Sequence, residues 1–154
     1  MNETTRIADQ IERCWNGPAW HGPSLREILE GVSADQAAGH PIEDAHSIWE
    51  LVLHAAAWAE KARASLESGE THLSDEENFP AVLASELSAW EAAKRRLESA
   101  HHDLAAAVRA LEDSELSRTV RGMNFQFSLY ILFHGVVQHS LYHAGQMILL
   151  KKAL

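Results

Sequence analysis

Apolar residues recur along this chain at intervals of three and four, the repeat that turns one face of a helix toward a core. Ile7, Ile11, Cys14 and Trp15 predict a first helix over Glu3 to Trp15, stopped by Asn16-Gly17-Pro18. After a turn at Gly22-Pro23, Ser24 and Glu27 have the spacing of a capping box and open a short helix to about Glu30; Ser33 and Gln36 repeat the device before the Gly39-His40-Pro41 break. Ser47 and Glu50 open a long helix that runs to about Ser68, with Ile48, Leu51, Val52, Ala55, Trp58, Ala59 and Ala62 as its apolar stripe and Gly69 beyond its end.

From Ser68 to Asn78 the chain is polar and acidic without periodicity, long enough for a crossover running the length of a bundle. Phe79-Pro80 reads as the start of a third long helix, in which Leu83, Leu87, Trp90, Leu97, Leu104, Val108 and Leu111 keep the three-four spacing. Residues Glu112 to Gln126 connect onward, with Arg118 to Val120 and Asn124 to Phe127 as a short extended excursion. A last helix spans about Phe127 to Lys151, where Lys151 and Lys152 suit the negative end of the helix dipole. Four long amphipathic helices without substantial strands predict an all-α four-helix bundle with short extra helices in its connections.

A length of 154 residues with 46% hydrophobic content fits one domain spanning 1–154. A net charge of -9 argues against a nucleic-acid partner, because the averaged surface repels phosphate. The single cysteine, Cys14, has no partner for an intramolecular disulfide and no neighbour in sequence that would activate it, so it reads as an apolar filler. The first 30 residues hold no basic stretch followed by an apolar run, which points to the cytoplasm. Phe125 to Leu150 is the most apolar segment, but its three histidines and three glutamines make it a bundle helix rather than a membrane span.

Ten histidines are many for this length, and their positions separate them. His139 and His143 lie four residues apart on the last helix, so their directions differ by about 40° and their heights by about 6 Å, within reach of one metal ion. His54 offers a third nitrogen from another helix, in the apolar run Leu51-Val52-Leu53-His54-Ala55-Ala56-Ala57. It lies near the start of its helix and His143 near the end of its own, so the two share a height if those helices are antiparallel. A buried imidazole needs a partner, and a shared cation would supply one to all three.

His134 is offset from His139 and His143 by about 140° and 180° around the helix, which makes it a structural or supporting residue. His101 falls on the apolar stripe of the third helix, where a satisfied core histidine outweighs a pocket role. His46 can reach the bundle's mouth. Glu50, one turn before His54, is a candidate general base whose competing role is the acidic half of the capping box. Gln146, three residues after His143, can hydrogen-bond a ligand histidine, a substrate or merely a neighbouring helix. Trp49, Trp58 and Trp90 are core or pocket wall.

The segments His46-Ser47-Ile48-Trp49-Glu50-Leu51-Val52-Leu53-His54 and His139-Ser140-Leu141-Tyr142-His143-Ala144-Gly145-Gln146, preceded by Leu25 to Gln36, resemble the DinB-like superfamily of metalloenzymes over almost the whole chain. The resemblance implies an up-down-down-up bundle and a metal, commonly zinc or nickel, bound by His54, His139 and His143. It also implies a homodimer acting on a small-molecule substrate. Relatives include transferases and isomerases that use a low-molecular-weight thiol such as bacillithiol or mycothiol, and metal-dependent hydrolases. No basic cluster in this sequence suits an anionic thiol.

Three neutral imidazoles with an open coordination position can acidify a bound water or thiol, which makes a thiol transferase or a hydrolase the leading reading. The alternatives are a non-catalytic bundle stapled by its metal, a small-ligand-binding or stress-response dimer, and a bundle whose histidines hold no metal at all.

Overall fold

The computed structural model describes residues 1–83 and 86–154. In chain order the elements are α1 (Glu3–Asn16), α2 (Leu25–Leu29), α3 (Ala34–Ala38), α4 (Ile48–Ser68), α5 (Asp75–Asn78), α6 (Leu87–Arg109), a 3₁₀ turn (Asp113–Ser117), β1 (Thr119–Arg121), β2 (Gln126–Ser128) and α7 (Leu129–Ala153). The capping boxes expected at Ser24/Glu27, Ser33/Gln36 and Ser47/Glu50 all form, each satisfying amide groups that a helix start leaves unpaired. Gly69 ends α4 in the left-handed conformation, with φ 70°.

The four long helices α1, α4, α6 and α7 make the bundle, with α6 and α7 each packed against both α1 and α4. Cross-helix contacts give their directions. Trp49 meets Trp90 and Glu60 meets Arg96, so α4 and α6 are parallel. Glu12 bonds Arg109 while Trp15 lies by His101, so α1 and α6 are antiparallel. The C-terminal end of α4 touches the segment leading into α7, through Arg118 to the Leu66 carbonyl, so α4 and α7 are antiparallel. This is the expected up-down-down-up order, and the parallel pair α4/α6 requires the crossover between them.

The predicted stripe of α4 is in the core at Ile48, Leu51, Val52, Ala55, Ala59 and Ala62. Trp90 is fully buried and its indole donates to the Val32 carbonyl at 2.8 Å, so a large apolar ring enters the core without an unpaired N–H. Cys14 is buried, and burial pushes its thiol up to about 12, which suits a filler.

Two expectations for the crossover are corrected. Its acidic stretch contains α5, opened by a capping box between Ser74 and Glu77 that the lack of apolar periodicity concealed. The third long helix begins at Leu87, not at Phe79-Pro80. Proline disfavours the helical region for the residue before it, and Phe79 has φ -128° and ψ 81°. Leu83 is therefore exposed rather than part of a core stripe, and Leu87 is exposed on the first turn of α6. Ala84 and Ser85, which the predicted helix included, lie outside the described residues.

The extended excursion forms a small antiparallel hairpin pairing Thr119 with Ser128, Val120 with Phe127 and Arg121 with Gln126. It is pinned beside the end of α4 by Arg121 N–H to the Gly69 carbonyl at 2.8 Å and Thr71 N–H to the Arg121 carbonyl at 2.9 Å. Lys151 donates to the carbonyls of Ile28 and Glu30 at 2.8 and 2.7 Å, joining the end of α7 to the end of α2 rather than serving its own helix alone. Among the described residues no helix is long and apolar enough to cross a membrane.

Candidate metal centre

Antiparallel packing of α4 and α7 brings His54, His139 and His143 to one height, and one potential ligand atom from each lies within 4.8 Å of the others. His54 and His143 are buried at 5% and 6% exposure, and His139 is half-buried between them. The Nε2 atom of His139 lies 3.0 Å from the Nε2 of His54 and 3.0 Å from that of His143.

The far side of two rings fixes what those close approaches mean. His54 Nδ1–H donates to the Asn78 carbonyl at 2.6 Å, and His143 Nδ1–H donates to Gln146 Oε1 at 2.6 Å. Each bond places the proton on Nδ1 and leaves an unprotonated lone pair on Nε2. His139 has one Nε2 proton at most and can satisfy only one of its two neighbours, so in a metal-free site at least one pair of lone pairs faces across 3.0 Å. A cation removes that repulsion. Two zinc–nitrogen bonds of ordinary length at a tetrahedral angle separate their nitrogens by about 3.3 Å, within a few tenths of an ångström of the spacing here.

Electrostatics favour the same species. Burial, followed by the mutual repulsion of the other two imidazolium forms, lowers His139 to about 4. Burial also lowers His54, despite its bond to the Asn78 carbonyl, and lowers His143. For all three the direction favours the neutral imidazole, the form a metal requires. A flat aromatic stack supports the site: Phe79 lies 4.1 Å from the His54 ring and 3.9 Å from the His46 ring, at 10° and 8°.

The weaker candidates separate clearly. Glu50 accepts the Ser47 amide at 2.7 Å and faces His40 at 3.1 Å and His46 at 3.6 Å. Burial pushes its carboxyl up, but the Ser47 amide and His40 outweigh that and hold it below its ordinary value. The carboxylate is occupied by the cap and by two histidines, one of which, His40, carried no signal in the sequence. Gln146 orients His143. His101 is buried to 1% exposure and bonded at both nitrogens, to the Leu97 carbonyl at 2.9 Å and Ser140 Oγ at 3.3 Å, so it is a satisfied core histidine. His134 packs against Tyr130, away from the triad, with its Nε2 buried and unpartnered among the described residues.

Asn78 and Phe79 were missed from sequence. Their only signal is their place between the Ser74/Glu77 capping pair and Pro80. Asn78 also accepts the Trp58 indole N–H on Oδ1 at 2.8 Å, and with Trp58 it borders a cavity of about 440 Å³ that opens against His54 and His139. Phe125 and Phe127 from the hairpin form another wall.

Three histidines converging from two helices can hold a metal ion, and the bonds at Asn78 and Gln146 are the outer contacts that orient metal-binding imidazoles. A search of curated proteins and one of solved structures gave no match. The profile of the DinB superfamily matches residues 20–147, a span that contains the short helices, the triad and the hairpin. The chain belongs to the DinB superfamily.

Proposed function

We propose that this protein is a metal-dependent enzyme in which His54, His139 and His143 hold one divalent ion, zinc or nickel, through Nε2 and leave part of its coordination sphere open to a ligand. The observation that carries this reading is the pair of 3.0 Å contacts that His139 Nε2 makes with His54 and His143, whose Nδ1 protons are already committed elsewhere. The ligand group has three members among the described residues, whereas a structural zinc site is filled by four protein ligands. A cavity beside two of the three gives a reactant room to approach.

When bound, such an ion acidifies a coordinated water or thiol and supplies a nucleophile at neutral pH. This chain's residues set the conditions for that chemistry. Asn78 and Gln146 keep the protons of His54 and His143 on the outer nitrogens. Glu50, already engaged by Ser47 and His40, serves in positioning rather than as a base. The two reactions this arrangement suits are transfer of a low-molecular-weight thiol to an electrophile and hydrolysis of an ester or amide.

Elemental analysis of protein purified without a histidine tag tests the metal, with one equivalent expected in the wild type and none in His54→Ala. The metal-loaded protein is then offered electrophiles with a panel of thiols, and separately a panel of esters and amides. Turnover lost in His54→Ala supports catalysis. A firmly bound metal with no turnover, no exchangeable ligand and a large loss of melting temperature on removal assigns it a stapling role instead.

A further inference from the structure

The cavity beside the triad has a lining that restricts what can enter it. Its volume of about 440 Å³ is that of a small-molecule site, and among the described residues its lining holds no Asp, Glu, Lys or Arg. Away from the triad, a charged group lying against these apolar side chains would lose hydration and find no counter-charge. The hairpin contributes Phe125 and Phe127, whose rings lie 5.3 Å apart, and α7 contributes Ile131 and Val136. Phe125 and Ile131 are 68% and 57% exposed, so apolar surface faces solvent around the opening.

One polar fixture stands out in this wall. The Trp58 indole is a donor only, so the Asn78 atom it meets at 2.8 Å must be the amide oxygen. The Nδ2 donor is then the part of the Asn78 amide left for a ligand. The same residue's main-chain carbonyl accepts from His54 at 2.6 Å, so the residue that carries this donor also touches the triad.

We infer that the cavity takes an uncharged, largely apolar substrate, its aryl or alkyl body lying against Phe125, Phe127 and Ile131 and its carbonyl oxygen accepting from Asn78 Nδ2. This inference rests on the metal reading only for the substrate's reactivity; the fit to the cavity is a property of the wall.

Gly135 supplies a clean test. It lines the cavity on α7, and a Cβ built there meets nothing within 4 Å, so Gly135→Leu fills space while giving the helix a better helix former. Calorimetric titration of the protein before zinc loading, so that no ion attracts a carboxylate, would compare benzanilide, a carboxylated benzanilide and bibenzyl, a hydrocarbon of similar shape without the carbonyl. Benzanilide is expected to bind at least tenfold more tightly than the carboxylated form. Gly135→Leu should weaken it at least tenfold while still taking up one equivalent of zinc when loaded, with the melting temperature not lowered. Asn78→Asp, which still accepts the Trp58 indole, should erase the preference for benzanilide over bibenzyl.

Equal or tighter binding of the carboxylated probe, or unchanged binding in Gly135→Leu, overturns the inference. So does a homodimer that buries Phe125 and Ile131 and excludes all three probes. Zinc failing to bind while bibenzyl still binds, and is blocked by Gly135→Leu, contradicts the metal reading and supports the cavity.

Discussion

His139 and Ser140 are consecutive residues on α7, yet they belong to two different buried constellations. On one side of the helix, His139 joins two imidazoles whose lone pairs converge on it at 3.0 Å. On the other, Ser140 lies 3.3 Å from His101, whose second nitrogen donates to the Leu97 carbonyl. The second group is closed, because Ser140 Oγ–H can donate to His101 Nε2 while His101 Nδ1–H donates to the Leu97 carbonyl, so both ring nitrogens have a complementary partner. The first is not, because its acceptors outnumber its protons. A buried histidine is structural when its neighbours complete its hydrogen bonds, and a candidate ligand when they leave a lone pair aimed at other lone pairs.

The sharpest way to break this comparison is to substitute the two neighbours separately. His139→Ala should lower zinc affinity by more than about 100-fold, beyond the range of outer-contact changes, while Ser140→Ala keeps one zinc per chain and loses stability by about 1–3 kcal/mol as His101 Nε2 goes unpaired. Competition with a chromogenic chelator and urea denaturation would read the two effects. If both substitutions release the metal, the two constellations are one.

Acid should act on the closed group in a predictable direction. Burial lowers His101 to about 4, whereas an unfolded histidine titrates near 6.5. Between those values the unfolded chain takes up a proton that the folded chain refuses. Metal-free protein should thus hold its stability above about pH 6.5 and lose it as pH falls toward 4, with His101 accounting for roughly 3 kcal/mol at the lower end. Urea melts of wild type and His101→Leu at pH 7 and 5 check this, since the variant should show the shallower pH dependence.

Smaller effects sharpen the open group. Gln146→Leu removes the acceptor that fixes the His143 tautomer and should weaken zinc binding about 10- to 100-fold with all three ligands still present. Glu50→Gln should leave zinc affinity within about twofold and reduce stability by only about 0.3–1 kcal/mol through the start of α4. A Glu50→Gln protein that binds zinc normally yet loses all turnover on an active substrate would instead restore Glu50 as the base.

Much of this arrangement is legible in the chain because helical periodicity carries it. The stripes of α1, α4 and, from Trp90 onward, α6 follow from spacing, and the i,i+4 pair on α7 meets His54 once the crossover makes α4 and α7 antiparallel. What spacing could not show lies in the connections. Phe79-Pro80 resembles a helix start because proline is favoured there, but the ring of Phe79 goes between His46 and His54 and the next long helix starts at Leu87. Asn78 acts through its main-chain carbonyl, which every residue possesses, so its residue type gave no hint of that bond. The cavity wall at Phe125 and Phe127 depends on where the hairpin is pinned to the end of α4, by main-chain bonds that leave no mark on composition.

The central claim is that three imidazoles share one ion with room for another ligand, and X-ray absorption at the metal edge of tag-free protein measures it directly. The account predicts three nitrogen scatterers of imidazole type at about 2.0–2.1 Å with one or two exchangeable light-atom ligands, reduced to two imidazoles or to no bound metal in His143→Ala. A metal whose spectrum is unchanged by that substitution, or protein that takes up none when zinc and nickel are supplied, would contradict it.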